Sequence, residues 1–114
     1  RDSRRLMDIL CNYAGYRKCV PILVFDAYRV KGAGREQETW HNLHVIYTRE
    51  AETADMFIER ATHELAKNHR VRVVSSDGAE QIIILGNGAL RVSARAFERE
   101  VRAVEAEIRE FLDQ

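Results

Sequence analysis

The 114-residue sequence has no run of 18 apolar residues, and nothing at its start resembles a basic segment followed by a short apolar one. A transmembrane helix needs an apolar run of that length, and a secretion signal needs a start of that kind. We therefore expect a cytoplasmic protein that does not enter a membrane. Neither sign of charge is in excess, because 18 basic residues balance 18 acidic ones. A surface that is basic throughout, as in proteins that coat nucleic acids, is thereby excluded.

Cysteine is scarce, and the first residue is not methionine. The two cysteines, Cys11 and Cys19, fall on a predicted helix and at the edge of a predicted strand. They indicate reduced, partly buried thiols rather than a disulfide framework, and their spacing matches no metal motif. Because the chain begins RDSRRL, we expect it to be a piece of a longer protein.

Helical and strand patterns alternate along the chain. Apolar residues at helical spacing predict a first helix of about fourteen residues, with Ser3 as its N-cap and its end near Gly15. Residues 27–42 are interpreted as a long loop or lid, and residues 79–86 as a short helix or turn. The strands are predicted over residues 20–26, 43–47, 70–76 and 90–92, and the other helices over about 51–68 and from the N-cap Ser93 to about Leu112.

The predicted strands are short, nearly all apolar and separated by helices. VPILVFD, residues 20–26, does not alternate between apolar and polar residues, which is typical of a strand buried on both faces. Such a pattern predicts a single α/β domain over residues 1–114, a three-layer α/β/α sandwich around a mainly parallel sheet. A doubly wound sheet usually opens on a central strand, whereas this chain opens on a helix. We therefore expect the first strand to be missing.

Acidic side chains follow three of the predicted strands. Asp26 closes the first, the cluster EAETAD at residues 50–55 follows the second, and Asp77 closes the third. The ligand crevice of an open α/β sheet lies outside the carboxyl ends of its strands, so these carboxylates are candidates for one site. Carboxylates that converge repel one another unless a cation lies among them, and Mg²⁺ or Mn²⁺ prefers such oxygen ligands.

The same acids also have a purely structural explanation. A helix dipole favours acidic residues in the first turn, and aspartate is a common turn residue after a strand. For Glu50, Glu52 and Glu59 individually this explanation comes first, whereas Asp55 and Asp77 are stronger as members of a site. From spacing alone, the metal site and the structural explanation have about equal weight.

Other candidate residues give weaker signals. His41 and His44 have HxxH spacing, but no third ligand is near in sequence, so a surface or packing role is favoured. The glycine-rich stretches GAGRE and GNGA match no phosphate-binding loop. Arginines of the loop and of the segment LRVSAR can contact nucleic-acid phosphates, although exposed basic residues usually have no such specific role.

Three longer motifs occur in a fixed order. They are FDAYRVKG from residue 25, VIYTREAETADMFIE from residue 45 and VVSSDGAEQIIILGNGALRVSARAFEREV from residue 73. Together they resemble the YacP-like branch of the NYN domains, a family of PIN-like metal-dependent ribonucleases that includes a bacterial ribosome-associated endoribonuclease. The likeness runs from about residue 4 to residue 101.

The resemblance implies a PIN-like fold whose carboxylates bind Mg²⁺ or Mn²⁺ and whose substrate is single-stranded RNA, mRNA included, cleaved by attack of water. Matched residue by residue, it implies that Asp26, Asp55 and Asp77 are catalytic metal ligands. Glu52, from the same motif as Asp55, is implied as a supporting ligand.

The resemblance also covers residues that would assist such a site. Glu80 and Gln81 lie beside Asp77 and are implied supporting residues. The basic residues that we expect to hold RNA phosphates are Arg29, Lys31, Arg35, Arg91 and Arg95.

One part of the family pattern is missing. Family members begin with a hydrophobic strand that ends in a DGYN-like motif, whose aspartate is a principal metal ligand, and this sequence has no such segment. The resemblance therefore implies a gap in the sheet and an incomplete metal site. Three outcomes are compatible with this: an inactive chain, a homodimer that fills the gap, or a trimmed piece of a longer active protein. We favour the trimmed piece and expect weak or absent metal binding by this chain alone.

Two hypotheses of function follow. The first is a cytoplasmic, metal-dependent endoribonuclease that acts on mRNA or other single-stranded RNA, in association with the ribosome. The second is a catalytically inactive module of the same fold that binds RNA or the ribosome.

Overall fold

The computed structural model describes residues 3–26, 37–49, 52–75, 80–86 and 91–114, which form three helices packed on a six-stranded sheet. The helices are α1 (Ser3–Arg17), α2 (Ala54–Leu65) and α3 (Ala94–Leu112). The strands are β1 (Val20–Phe25), β2 (Gln37–Trp40), β3 (Leu43–Tyr47), β4 (Val71–Ser75), β5 (Glu80–Leu85) and β6 (Arg91–Ser93). No helix in these ranges is both long and apolar enough to cross a membrane.

The sheet has the strand order β2-β3-β1-β5-β4-β6. Two neighbouring pairs, β1 with β3 and β4 with β6, are parallel. The other three pairs, β2 with β3, β1 with β5 and β4 with β5, are antiparallel. The predicted α/β class is confirmed, but the sheet is mixed rather than mainly parallel, because β2 and β5 run against their neighbours.

Residues 79–86 account for most of that difference. The sequence pattern predicts a short helix or turn there, and the prediction is wrong because residues 80–85 form β5. Three consecutive β-branched residues, Ile82, Ile83 and Ile84, favour a strand, and all three are buried. A strand buried on both faces carries no alternation that would distinguish it from a buried helical turn. The described strands form one continuous sheet rather than a sheet with a gap, and β5 pairs with both β1 and β4.

The segment predicted as a loop over residues 27–42 contains β2. Gln37–Trp40 pairs with β3 across a two-residue turn, in which His41 has a φ of 57°. The remainder of that segment, residues 27–36, lies outside the described residues. The Cys11 thiol donates a hydrogen bond to the Trp40 carbonyl at 3.4 Å, so the hairpin is attached to α1. Cys11 and Cys19 are both free thiols, as the sequence predicts.

The helices begin and end close to their predicted positions. α1 continues past Gly15 to Arg17. α2 begins at Ala54, where Thr53 is its N-cap, and is shorter than predicted. α3 begins directly after Ser93, whose hydroxyl accepts a hydrogen bond from the Ala96 amide at 3.1 Å and so confirms the predicted cap.

Two hydrophobic cores lie on opposite faces of the sheet, which confirms the three-layer arrangement. The face that we call the α2 face packs Val24 and Ile83 of the sheet against Ala54 and Ile58 of α2. The opposite face, which we call the α1/α3 face, carries the larger core, and its buried members include Leu10, Tyr13, Leu23, Ile82, Ile84, Phe97 and Val101.

A charged network is buried in the core of the α1/α3 face. Arg72 of β4 is only 7% exposed, and its Nη2 donates hydrogen bonds to the Tyr13 hydroxyl at 3.0 Å and to Glu100 Oε1 at 2.8 Å. Tyr13 in turn donates to Glu100 Oε2 at 2.8 Å, so α1, β4 and α3 are joined at one point. The ring of Phe97 packs edge to face on Tyr13, and Arg72 lies 5.9 Å from its centroid.

The network changes the pKa values of its members. Burial, and then the hydrogen bond to Glu100, raises the pKa of Tyr13 to about 12. Burial opposes the charge of Glu100, but the hydrogen bonds from Arg72 and Tyr13 together outweigh it and hold the pKa of Glu100 below its ordinary value of 4.5. The folded chain therefore favours ionised Glu100 and neutral Tyr13.

We predict that Glu100→Gln lowers the free energy of unfolding by about 2 kcal/mol at pH 7, because it leaves a buried arginine without its carboxylate. Since folding lowers the pKa of Glu100, its contribution to stability is complete above pH 4.5 and disappears as the pH falls through the folded-state pKa. The difference between variant and parent should shrink over that acidic range in urea titrations followed by circular dichroism.

The matched control for this prediction is Glu98→Gln, the same change on the same helix. Glu98 forms an exposed ion pair with Arg102 at 3.0 Å, so its loss should cost only about 0.5 kcal/mol. Equal costs for the two variants would contradict the role assigned to the buried network.

Candidate functional site

Four strands end at one edge of the sheet, and the other two begin there. Because β1 and β4 are both antiparallel to β5, they run in the same direction, and β3 and β6 are parallel to them. We call this edge, where β1, β3, β4 and β6 end and β2 and β5 begin, the carboxyl edge. α2 follows β3 and α3 follows β6, so both helices begin at this edge. Their amino ends carry partial positive charge, which favours anions there.

Asp26 lies at this edge, directly after the last residue of β1, and is half-buried. Val24, two residues earlier, belongs to the core of the α2 face. Side chains alternate along a strand, so Asp26 lies on the α2 face as well. The Thr48 amide donates to the Phe25 carbonyl at 3.0 Å and extends the pairing of β1 with β3 to the position beside Asp26.

Asp55 lies on the same face and at the same edge. It is the second residue of α2, it is exposed, and its Oδ1 accepts a hydrogen bond from Nε2 of Gln81 in β5. Gln81 pairs with Val24 of β1. The start of the helix is fixed by Thr53, whose hydroxyl accepts from the Met56 amide at 3.1 Å. The structure therefore brings Asp26 and Asp55 to one face of the sheet.

Glu52, the supporting ligand implied by the resemblance, has a different partner. Its Oε2 forms an ion pair with Nη1 of Arg60, which lies in the second turn of α2. The Arg60 guanidinium also lies over the ring of Phe57, 5.3 Å from its centroid. Glu52 lies two residues before α2, and the guanidinium of Arg60 offsets its charge there.

The described residues include only some of the basic candidates. Arg91 begins β6 and Arg95 lies in the first turn of α3, and both side chains are exposed. Arg91 pairs with Val73 of β4, two residues before that strand ends, so both arginines lie near the carboxyl edge. The other predicted site residues, Asp77, Arg29, Lys31 and Arg35, lie outside the described residues.

The side chains that could act as metal ligands determine which ion the site could bind. In the part of the chain that the structure describes, no three histidine, cysteine, aspartate or glutamate side chains are grouped so that they could hold a metal ion. Mg²⁺, however, is often held by one or two protein carboxylates, while water and substrate phosphates complete its shell. The carboxylates of Asp26 and Asp55 fit such an ion when a substrate supplies further oxygens.

The histidines of the HxxH pair have structural positions. His41 is exposed in the turn between β2 and β3, where its ring lies edge to face on Trp40 at 5.5 Å. His44 pairs with Thr39 on the neighbouring strand. The surface or packing role favoured from the sequence agrees with these positions.

Two contacts of the structure were not predicted from the sequence. The first joins Gln81 to Asp55, and the sequence pattern does not predict it because that pattern favours a helix or turn over residues 79–86. The second is the network around Arg72. A signal for it was available, because in RVRVVSS the arginine at position 72 alternates with the inward valines 71 and 73 and so points to the opposite, equally buried face.

Comparisons with known proteins agree with the resemblance in sequence. The sequence model of the YacP-like NYN domain family matches residues 1–114. The uncharacterized protein YacP of Bacillus subtilis (strain 168) is 42% identical over 104 residues, which are 90% of this chain and 61% of that protein. The crystal structure of Rae1 (YacP) from Bacillus subtilis matches with a TM-score of 0.71 and 34% identity over 95% of this chain and 62% of that one. This match confirms the PIN-like fold, and the chain spans about three fifths of the length of both relatives.

We predict that Thr53→Ala lowers the free energy of unfolding by about 1 kcal/mol, because the Met56 amide loses its side-chain acceptor. Thr53→Ser keeps the hydroxyl and should cost much less. Urea titrations of both variants measure the difference. Equal stabilities of the alanine and serine variants would show that the cap does not fix the start of α2.

Proposed function

The chain belongs to the YacP-like NYN domain family, as its motifs predict, and from that premise we propose that the full-length protein is a cytoplasmic, metal-dependent endoribonuclease. Its substrate in this proposal is single-stranded RNA, mRNA included, whose phosphodiester bonds it hydrolyses. Membership of a family of PIN-like nucleases supports a nuclease-type function and the involvement of RNA. The observation that carries the proposal is the placement of Asp26 and Asp55 on one face of the sheet at the carboxyl edge.

Asp26, Asp55 and Asp77 are the proposed ligands of Mg²⁺ or Mn²⁺. A bound divalent cation would activate water as a nucleophile and offset charge on the phosphodiester, so no protein nucleophile is required. The carboxylates supply oxygen atoms at the edge where two helices begin, and the partial positive charge of those helix ends favours the phosphate. Glu52 is a weaker candidate because Arg60 already neutralises it.

Basic residues are proposed to bind the RNA backbone near the same edge. Arg95 is exposed in the first turn of α3, and Arg91 is exposed two residues before the end of β6. Phosphate contacts of this kind position a nucleic acid without reading its sequence. Arg29, Lys31 and Arg35 are proposed to act in the same way.

A second candidate function rests on a specific observation. No group of three possible metal ligands occurs in the described ranges, and the chain spans only 61% of YacP. A module that binds RNA or the ribosome through its basic residues, without cleavage, would need no complete metal site. Ribosome association is proposed for either function, and a homodimer is proposed for this chain alone.

For the nuclease proposal, we predict that Asp55→Asn and Asp77→Asn each lower RNA cleavage by the full-length protein roughly 100-fold, because each removes a charged ligand. Cleavage of a labelled single-stranded RNA with Mn²⁺ or Mg²⁺, resolved on gels, measures the effect, and EDTA should abolish cleavage by the parent. Glu59→Gln, an exposed acid on the same helix as Asp55, is the matched control and should cleave like the parent.

Unchanged cleavage in both aspartate variants would overturn the nuclease proposal. RNA or ribosome binding that survives EDTA and both substitutions, without any cleavage, would support the binding module instead.

For the RNA contact, we predict that Arg95→Met weakens binding of single-stranded RNA at every sequence tested. The slope of log affinity against log salt should become shallower by about 0.7, because one phosphate contact and its released counterion are lost. Arg109→Met removes an exposed arginine in the last turn of the same helix and serves as control. Fluorescence anisotropy at several salt concentrations measures both variants, and identical slopes would contradict a contact at Arg95.

A further inference from the structure

We propose that Gln81 is a positioning residue for Asp55, holding that carboxylate in the orientation that a divalent cation requires. This inference rests on the proposed function. It starts from the hydrogen bond that Gln81 Nε2 donates to Asp55 Oδ1.

The register of the sheet places Gln81 near two of the proposed metal ligands, Asp26 and Asp55. Gln81 lies directly opposite Val24, and Asp26 is two residues beyond Val24 on the same face. Diagonal neighbours of this kind on antiparallel strands lie about 7–8 Å apart, within reach of a long side chain. Asp26 follows the end of β1 and Asp55 lies at the start of α2, and Gln81, which pairs with Val24 of β1, donates its side-chain hydrogen bond to Asp55.

The support under Gln81 is rigid. β5 pairs with β1 on one side and with β4 on the other, and Ile82 and Ile83, the next two residues, are buried on opposite faces. Asp55, in contrast, is exposed in the first turn of a helix. A hydrogen bond from a central strand therefore limits the rotation of a side chain that would otherwise be free to reorient in solvent.

Asp55 and its neighbour Glu52 accept hydrogen bonds from different groups. Glu52 is paired with the guanidinium of Arg60, which neutralises its charge. Asp55 is held by an amide, which donates a hydrogen bond but carries no charge. The amide therefore does not offset the charge of Asp55, whose carboxylate has further acceptor capacity for a cation. Two acids three residues apart are in this way given different roles by their partners.

The test compares two substitutions of Gln81 in the full-length protein. Gln81→Met removes the donor and keeps the length of the side chain, so it should weaken Mn²⁺ binding and lower kcat by about 10- to 100-fold, with KM for RNA little changed. Gln81→Lys keeps a donor beside Asp55 but adds a positive charge, and it should weaken Mn²⁺ binding more than Gln81→Met does. A contact that served only folding would be retained by the lysine. Calorimetry with Mn²⁺ in the absence of RNA measures the affinity, and Gln114→Met is the control.

A double-mutant cycle tests whether Gln81 acts through Asp55. In an Asp55→Asn background, Gln81→Met should change Mn²⁺ affinity and kcat no further. Mn²⁺ affinity equal to that of the parent in Gln81→Met, or an equal loss in both backgrounds, would overturn the inference and leave the proposed nuclease intact. A parent protein that neither binds Mn²⁺ nor cleaves RNA would instead overturn the proposed function, and the role of Gln81 with it.

Discussion

The pairing of β5 with both β1 and β4 is the constraint on which the rest of the structure depends. Since β5 is antiparallel to each, it makes the two strands point the same way and join one sheet. β3 and β2 attach to the sheet through β1, and β6 attaches through β4. The directions of these strands bring α2 and α3 to begin at the same edge. One central strand of six residues therefore determines where the candidate site can form.

The two faces of that strand contact different parts of the protein. Ile82 and Ile84 join the core beneath α1 and α3, whereas Ile83 joins the core beneath α2. At the exposed end of the α2 face, the same alternation places Gln81 against Asp55. Packing in the interior of the sheet thus fixes the position of a polar side chain at its edge. A buried strand is a suitable support for such a side chain because its backbone is hydrogen-bonded on both sides.

On the opposite face, one buried arginine side chain takes the place of a purely apolar contact. Arg72 satisfies the hydroxyl of Tyr13 and the carboxylate of Glu100, and in return its own charge is compensated. A buried network of this kind stabilises little compared with an apolar core, but removing one member is costly. It also requires α1, β4 and α3 to meet in one geometry.

The sequence by itself determined the α/β class, most helix and strand positions, the cap at Ser93, and the family. Those features depend on local patterns, namely periodicity, capping side chains and motifs that persist in one dimension. Only the tertiary structure decided that residues 80–85 are a central strand, that the sheet is mixed, and that Glu52 and Asp55 have different partners. A run of isoleucines is equally compatible with several buried environments, and the partner of Asp55 is chosen by the register of β5. Both depend on contacts between segments far apart in the chain, and no local pattern contains that information.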